Sequence, residues 1–390
     1  MGVYIHIPFC TKKCAYCDFL SAPADENLQE KYIEALISEI KSYKTRTSEY
    51  QVATIFLGGG TPSLINSLYI EQVLNELREV FYLKQEPEVT IEINPGTIDR
   101  DKLYAYKSMG INRLSFGLQS TSDNELKILG RSHSYKQFYD NYILARELGF
   151  NNINVDLISA LPNQSLSSWK QTLKTVSQLR PEHISAYSLI IEEGTPFFDL
   201  YSQGKAFFTD LPDEETDRSI YQLTQKTLQE YGYNRYEISN YAKEGFECKH
   251  NTSYWIGTEY LGLGLGSASL LKANRFQNES NIKKYITLLS VGSKESVDIM
   301  SDVYDLRRNI VKLSKNQLME EFMFLGLRLQ KGISKKEFKK RFHIDINDLY
   351  EKTINKLCEK QLLICKGDRI FLTNYGIDIS NYVLSHFLLD

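Results

Sequence analysis

Cys10, Cys14 and Cys17 stand in the run Phe9-Cys10-Thr11-Lys12-Lys13-Cys14-Ala15-Tyr16-Cys17, with the spacing C-x3-C-x2-C. This arrangement supplies three thiolate ligands, not four. Three cysteines can hold three corners of a [4Fe–4S] cube and leave one iron open to bind and activate a second molecule. A structural zinc site wants four ligands, usually as two C-x2-C pairs. Here the fourth would have to come from Cys248, Cys358, Cys365 or a distant histidine. A disulfide framework fits poorly, because three clustered cysteines are an odd number. The opening Met1-Gly2-Val3-Tyr4 shows neither a basic n-region nor a cleavage site, which predicts a cytoplasmic protein. Thiols stay reduced there, and clustered cysteines are metal-binding or catalytic.

A second run with chemical potential is Gly58-Gly59-Gly60-Thr61-Pro62, directly after a strand-like segment. Glycines let backbone approach a ligand closely, and Thr61 and Pro62 end the strand. The bland reading is a tight strand-to-helix turn. Placed at the same rim as an open-iron site, the run becomes a ligand-facing loop. The run Gly262-Leu263-Gly264-Leu265-Gly266-Ser267-Ala268 is too glycine-rich for a stable helix and predicts strands or turns packed close to something.

These groups need elements to position them. Strand-like runs cover Val3–Pro8, Val52–Leu57, Val89–Asn94, Asn112–Gly117, Ile153–Leu157 and His183–Leu189. Amphipathic helical stretches fall between and after them, at Glu26–Tyr43, Ile65–Phe81, Tyr135–Leu148, Ser167–Leu179 and Glu214–Glu230. Such alternation implies an α/β fold with parallel strands and right-handed crossovers. Six units fall short of the eight that close a full barrel, so a partial (βα)6 barrel is expected, with function at the C-terminal strand ends. We divide the chain into a core over 1–240, a connecting region over 241–304 and a C-terminal module over 305–390. In the last, helices at Asn316–Gln330, Lys335–Phe342 and Asp345–Lys360 precede a hairpin signal at 362–373, an order that resembles a winged helix. Cys358 and Cys365 are read as its core.

The net charge of −3 gives no reason to expect nucleic acid. Residues 301–390 are mildly basic, with 16 Lys and Arg against 12 Asp and Glu. Lys335, Lys336, Lys339, Lys340 and Arg341 sit beside acids and read as a solvated helix face, so a DNA-binding regulator ranks low. No apolar run approaches the ~20 residues of a membrane span. That leaves peripheral membrane contact open, along with the oligomeric state.

The assembled pieces resemble the radical S-adenosylmethionine (SAM) superfamily, whose signature is the C-x3-C-x2-C triad, and within it the coproporphyrinogen-dehydrogenase-like branch. The likeness is carried by Tyr4-Ile5-His6-Ile7-Pro8-Phe9-Cys10, Gly58 to Pro62, Ile91-Glu92-Ile93-Asn94-Pro95, Phe116-Gly117-Leu118-Gln119-Ser120, Gly130-Arg131, Asp156-Leu157, Leu161-Pro162 and Glu237-Ile238-Ser239-Asn240. It extends to Glu320-Glu321 and Leu327-Arg328 in the C-terminal module. Two features sort the branch. The oxygen-independent coproporphyrinogen III oxidases extend the triad by a further cysteine, where this chain has Phe19. The run His250-Asn251-Thr252-Ser253-Tyr254-Trp255 is similar to the H-N-x-x-Y-W signature of the heme chaperones in the branch.

The resemblance implies a [4Fe–4S] cluster on Cys10, Cys14 and Cys17, whose open iron chelates the amino and carboxylate groups of SAM. It implies SAM contacts at Tyr4, Tyr16, Gly59, Gly60, Thr61 and Glu92. Gln119, Arg131 and Asp156 match positions that line a second SAM-binding place in the oxidase; their bland reading is a buried ion pair that fixes the barrel. Heme is the third implied cofactor, with His250 as its iron ligand beside the flat surfaces of Tyr254 and Trp255, and respiratory proteins are the implied acceptors. Cys248 is read as a packed thiol. The alternative function is that of the oxidase in porphyrin biosynthesis; Phe19 speaks against that activity.

Overall fold

The alternating pattern becomes six parallel strands lying side by side in chain order: β1 (Gly2–Ile7), β2 (Gln51–Gly59), β3 (Tyr82–Ile93), β4 (Arg113–Gln119), β5 (Ile153–Ser159) and β6 (His183–Ser188). The computed structural model describes residues 1–44, 50–202, 211–290 and 306–389. Helices fill the crossovers: α1 (Glu26–Lys41), α2 (Ser67–Val80), α3 (Arg100–Ser108), α4 (Asp123–Ile128), α5 (Tyr135–Glu147) and α6 (Leu166–Gln178). α7 (Pro196–Ser202) and α8 (Glu214–Glu230) follow the sixth strand.

The local chemistry explains these boundaries. α1 starts where the Asp25 side chain accepts from Leu28 N at 2.8 Å. It then buries Tyr32, Ile33, Leu36 and Ile40 on one stripe. α5 opens on a capping box of Ser134 and Gln137. α3 and α4 were not legible as helices, since they bury only Leu103 and Tyr106, and Glu125 and Leu126, respectively. Along β1, Val3, Ile5 and Ile7 are fully buried in the hydrophobic core, while the alternate Tyr4 lines a cavity inside the barrel.

The sheet runs on past residue 240. β7 (Asn234–Arg235) and β8 (Asn240–Ala242) close one side, with β8 antiparallel to β6. After α9 (Lys249–Trp255), β9 (Tyr260–Leu263) pairs parallel with β1 on the other side. β10 (Ala268–Leu271), β11 (Asn274–Asn278) and β12 (Arg307–Lys312) extend it antiparallel, with α10 (Ile282–Ser290) between the last two. Among the described residues the order is β12-β11-β10-β9-β1-β2-β3-β4-β5-β6-β8-β7. The glycine-rich run thus supplies two strands and their turn. The boundary placed at 304/305 lies outside the described residues.

The C-terminal module comprises α11 (Lys315–Gly326), β13 (Ile333–Ser334), α12 (Lys335–Phe342), α13 (Ile346–Glu359), the hairpin β14 (Leu363–Lys366) and β15 (Arg369–Leu372), and two short helices, α14 (Asn374–Asp378) and α15 (Ser380–Ser385). Its three strands pair in the order β13-β15-β14, around a core that includes Met323, Phe338, Phe342, Tyr350 and Leu357. This is the winged-helix order. Cys365 departs from the core reading: it is exposed on the outer hairpin strand, its sulfur 3.5 Å from that of half-buried Cys358. No described helix is long and apolar enough to cross a membrane.

Candidate functional site

The cysteine loop leaves the C-terminal end of β1 and is tied down along its length. Cys10 N donates to Ala22 O, Ala15 N to Leu129 O and Phe197 N to Ala15 O. The Phe9 ring, buried, meets Tyr32 edge-on at 5.2 Å. The glycine turn fits against this loop at a distance no side chain would permit. A Cβ on Gly60 would lie 2.8 Å from Phe9 O, and one on Gly59, at φ +110°, 2.5 Å from the His6 ring.

Cys10, Cys14 and Cys17 are free and half-buried, and all three face a cavity of about 460 Å³ at the barrel mouth. Cys10 Sγ lies 3.3 Å from Thr61 Oγ1, and Arg131 Nη1 donates to Cys14 Sγ at 3.6 Å. Burial pushes the Cys17 thiol up, a penalty that coordinated iron removes by taking the thiolate. A single zinc ion holds thiolates at about 2.3 Å and draws them to one point. A cube takes each thiolate at a separate iron and leaves one iron open, which three thiolates facing one cavity can fit.

The same cavity is lined by Tyr16, Gly59, Gly60, Thr61, Glu92, Gln119, Arg131 and Asp156. Eight of the nine positions tied to SAM by resemblance therefore meet the cysteines in one place. Tyr4 lies deeper, its hydroxyl 3.1 Å from His6 Nδ1. Arg131 Nη2 donates to Asn94 Oδ1 at 2.6 Å and to Gly117 O at 2.7 Å. Asp156 accepts from Ser115 Oγ at 3.1 Å and Asn154 Nδ2 at 2.8 Å. These two residues use different hydrogen-bond partners, and the buried charge facing Asp156 is Arg113. Glu92 accepts from Gly59 N at 3.0 Å. Its burial, with the Asp156 carboxylate nearby, raises its pKa to about 8. Burial raises Asp156 as well. Both carboxyl groups face this cavity, and each is held less readily ionised than in water.

His250 lies beneath the mouth, in a second cavity that Glu92 and Asp156 also line. α9 begins on the buried Glu88 carboxylate, which accepts from Lys249 N at 3.1 Å, His250 N at 2.9 Å and Cys248 Sγ at 3.7 Å. Cys248 is buried, with burial pushing its thiol up to about 11. His250 is 1 % exposed. Its Nδ1 lies 2.8 Å from Thr54 Oγ1, its Nε2 lies 2.8 Å from Tyr254 Oη, and its ring stacks on Phe56 at 5.1 Å. Burial, then the Arg113 charge, depresses its pKa to about 3. The imidazole is neutral, the form that ligates metals, but both nitrogens are engaged. Ligation of iron at Nε2 requires Tyr254 to let go.

On the other side of α9, Tyr254, Trp255, Tyr260, Leu270, Arg275 and Leu325 line an outer cleft of about 380 Å³. The C-terminal module closes over it. Arg328 lies over the Trp255 ring at 4.5 Å. Arg341 donates to Ile256 O at 3.2 Å and Gly257 O at 2.9 Å, just past the helix end. Arg341, read from sequence as solvated, is thus a docking residue. Sequence reasoning also passed over Arg113, which is 2 % exposed inside the barrel. A lone arginine at the start of a strand gives no pattern to find it by.

Comparison with known proteins follows this division. A Radical SAM superfamily profile matches residues 4–176, and a HemN C-terminal domain profile matches 313–379. The heme chaperone HemW of Lactococcus lactis subsp. lactis (strain IL1403) is 34% identical over 389 residues, covering 100% of this chain and 97% of that protein. HemW of Bacillus subtilis (strain 168) is 33% identical over 388 residues, covering 99% of each. The structure of Escherichia coli coproporphyrinogen III oxidase (HemN), a radical SAM enzyme, superposes with a TM-score of 0.83 at 24% identity, covering 99% of this chain and 89% of that one. That likeness is one of fold.

Proposed function

The chain belongs to the HemW family of the radical SAM superfamily, and we propose from that premise that it is a cytoplasmic heme chaperone. In this reading it carries a [4Fe–4S] cluster with SAM, binds heme, and delivers it to acceptor proteins such as respiratory enzymes. The observation that carries the reading is the meeting of three free thiols with Glu92, Arg131, Asp156 and the glycine turn around one cavity. Cys10, Cys14 and Cys17 would hold the cluster. Gly59, Gly60 and Thr61 expose backbone to the methionine portion of SAM, Glu92 takes its cationic group, and Tyr16 packs beside it. When bound, the cluster supplies an iron with an open position that can ligate SAM and pass it an electron. The residues of the chain bind, orient and exclude water.

For heme, the supporting observation is the cleft beside α9. Tyr254, Trp255 and Tyr260 offer flat walls, and the buried Trp255 Nε1 has no hydrogen-bond partner among the described residues. His250 becomes a ligand once its Nε2 is released from Tyr254, which ties heme uptake to loosening of the Arg328 and Arg341 contacts. The second reading is coproporphyrinogen III oxidase. Phe19, 63 % exposed at the cavity mouth where the oxidase pattern has a cysteine, disfavours it.

One anaerobic preparation separates the two. The chaperone reading expects reconstituted protein to titrate with heme and to release no carbon dioxide from coproporphyrinogen III. Carbon dioxide release would replace it with the oxidase reading, and failure to bind heme would remove it.

A further inference from the structure

Beneath the mouth the barrel is not filled. Closed barrels pack their interior with layers of branched apolar side chains. Here a cavity of about 250 Å³ continues downward, lined by Glu92, Arg113, Ser115, Asn154, Asp156 and His250. It shares Glu92, Ser115 and Asp156 with the cavity that the cysteines face.

Buried polar groups cost free energy unless they are hydrogen-bonded. Most of this lining meets that demand internally. Asn154 Nδ2 donates to Ser115 Oγ and Asp156, and its Oδ1 accepts from Ser185 Oγ. Asn154 Oδ1 also lies 2.6 Å from His183 Nδ1, whose Nε2 lies 2.8 Å from Tyr236 Oη. That orientation puts the His183 proton on Nδ1.

Arg113 is the exception. Its guanidinium is buried and lines the cavity floor, yet Nε has no hydrogen-bond partner among the described residues. Thr90, its register partner on β3, is likewise buried with an unpartnered Oγ1. The Glu88 carboxylate balances the Arg113 charge at a distance, but its oxygens accept from the start of α9. A buried guanidinium with an unfilled donor beside an open cavity is a receptor for a planar anion. The Glu88, Glu92 and Asp156 carboxyls nearby disfavour a dianion such as phosphate and leave room for a single negative charge at most.

From this juxtaposition we infer that the floor of the barrel binds a carboxylate, held by Arg113, with the rest of its bearer extending up toward the cysteine loop. The cavity shares Tyr4 and Tyr254 with the outer aromatic cleft, but Arg113 does not line that cleft, and the inference does not depend on the cleft being the heme site. Two sources carry the chemistry, a small free organic acid and a propionate arm of a tetrapyrrole.

Propionate is the probe, tested by saturation-transfer NMR on the full chain, with neutral propionamide as its match. Binding of propionate without propionamide is expected, weakened at least tenfold in Arg113→Gln and less in Arg113→Lys, which keeps the charge but loses the fork. Equal binding of the two probes to the wild-type chain would overturn the inference, and so would unchanged propionate binding in folded Arg113→Gln. The wild-type comparison holds even if the glutamine variant does not fold. Titration with heme and heme dimethyl ester then separates the sources. A preference for heme that Arg113→Gln erases assigns the arm of a tetrapyrrole. No preference, with propionate still sensitive to Arg113, assigns a free acid.

Discussion

Cys10, Cys14 and Cys17 are half-buried, free and turned to an open cavity, whereas His250 is closed in with both ring nitrogens engaged. The loop is fixed through its backbone, and its sulfurs face the cavity with only the Thr61 hydroxyl at Cys10 and the Arg131 guanidinium at Cys14 against them. The helix is fixed through its side chains and by two arginines of the C-terminal module, so its ligand atom is already in use. A site of the first kind gives up little before it takes a metal. A site of the second kind must first lose hydrogen bonds, each contributing about 1 kcal/mol, which gives the protein a means to hold heme uptake in check.

The sharpest way to break this comparison is to remove the thiols. Cys10→Ala, Cys14→Ala or Cys17→Ala is expected to abolish the visible absorbance of the cluster, while heme titration stays close to wild type. Loss of heme binding in the same variants would show the two regions to be coupled. His250→Ala should do the reverse, leaving iron and sulfide content intact and weakening heme at least tenfold. It should also lower unfolding stability by about 2 kcal/mol, through a cavity and stranded hydrogen-bond partners; an unchanged heme titration would assign the ligand elsewhere.

Loosening the clamp is a smaller intervention. Arg328→Ala removes a cation–π contact contributing about 1 kcal/mol, together with an ion pair to the buried Glu237 carboxylate at 3.7 Å. It should speed heme association about fivefold in stopped-flow mixing, leaving cluster content unchanged. Slower association would mean that the module builds the heme site instead of covering it.

Glu92 gives the smallest and most graded effect. Its carboxyl rises from 4.5 to about 8 on folding. The stability it contributes is therefore fully present below about pH 4.5 and is lost as pH rises through about 8. A cationic ligand beside it pulls the other way, expelling the proton. SAM affinity should climb severalfold between pH 6 and 8, with proton release visible by calorimetry in buffers of different ionisation enthalpy. Glu92→Gln should flatten both profiles.

Much of this was legible in the sequence because it rests on local pattern. The triad spacing, the glycine turn and the six strand–helix alternations each follow from residues near one another, and the C-terminal ends of the strands brought Glu92, Gln119 and Asp156 to the loop as parallel topology requires. What stayed hidden depends on long-range contacts. The closure of His250 involves Thr54 and Phe56, 196 and 194 positions away. Arg341 became a docking residue because α12 lands on the end of α9. The sheet crossed position 240 because β8 (Asn240–Ala242) pairs with β6, and a glycine-rich run, weak in propensity, added β9 beside β1.

The central claim is that the three thiolates hold a cube with one open iron. Electron paramagnetic resonance of the reduced, anaerobically reconstituted protein tests it most directly. The account predicts the signal of a [4Fe–4S]⁺ cluster whose g values shift when SAM is added. A spectrum indifferent to SAM, or a preparation holding one zinc and no iron, would contradict it.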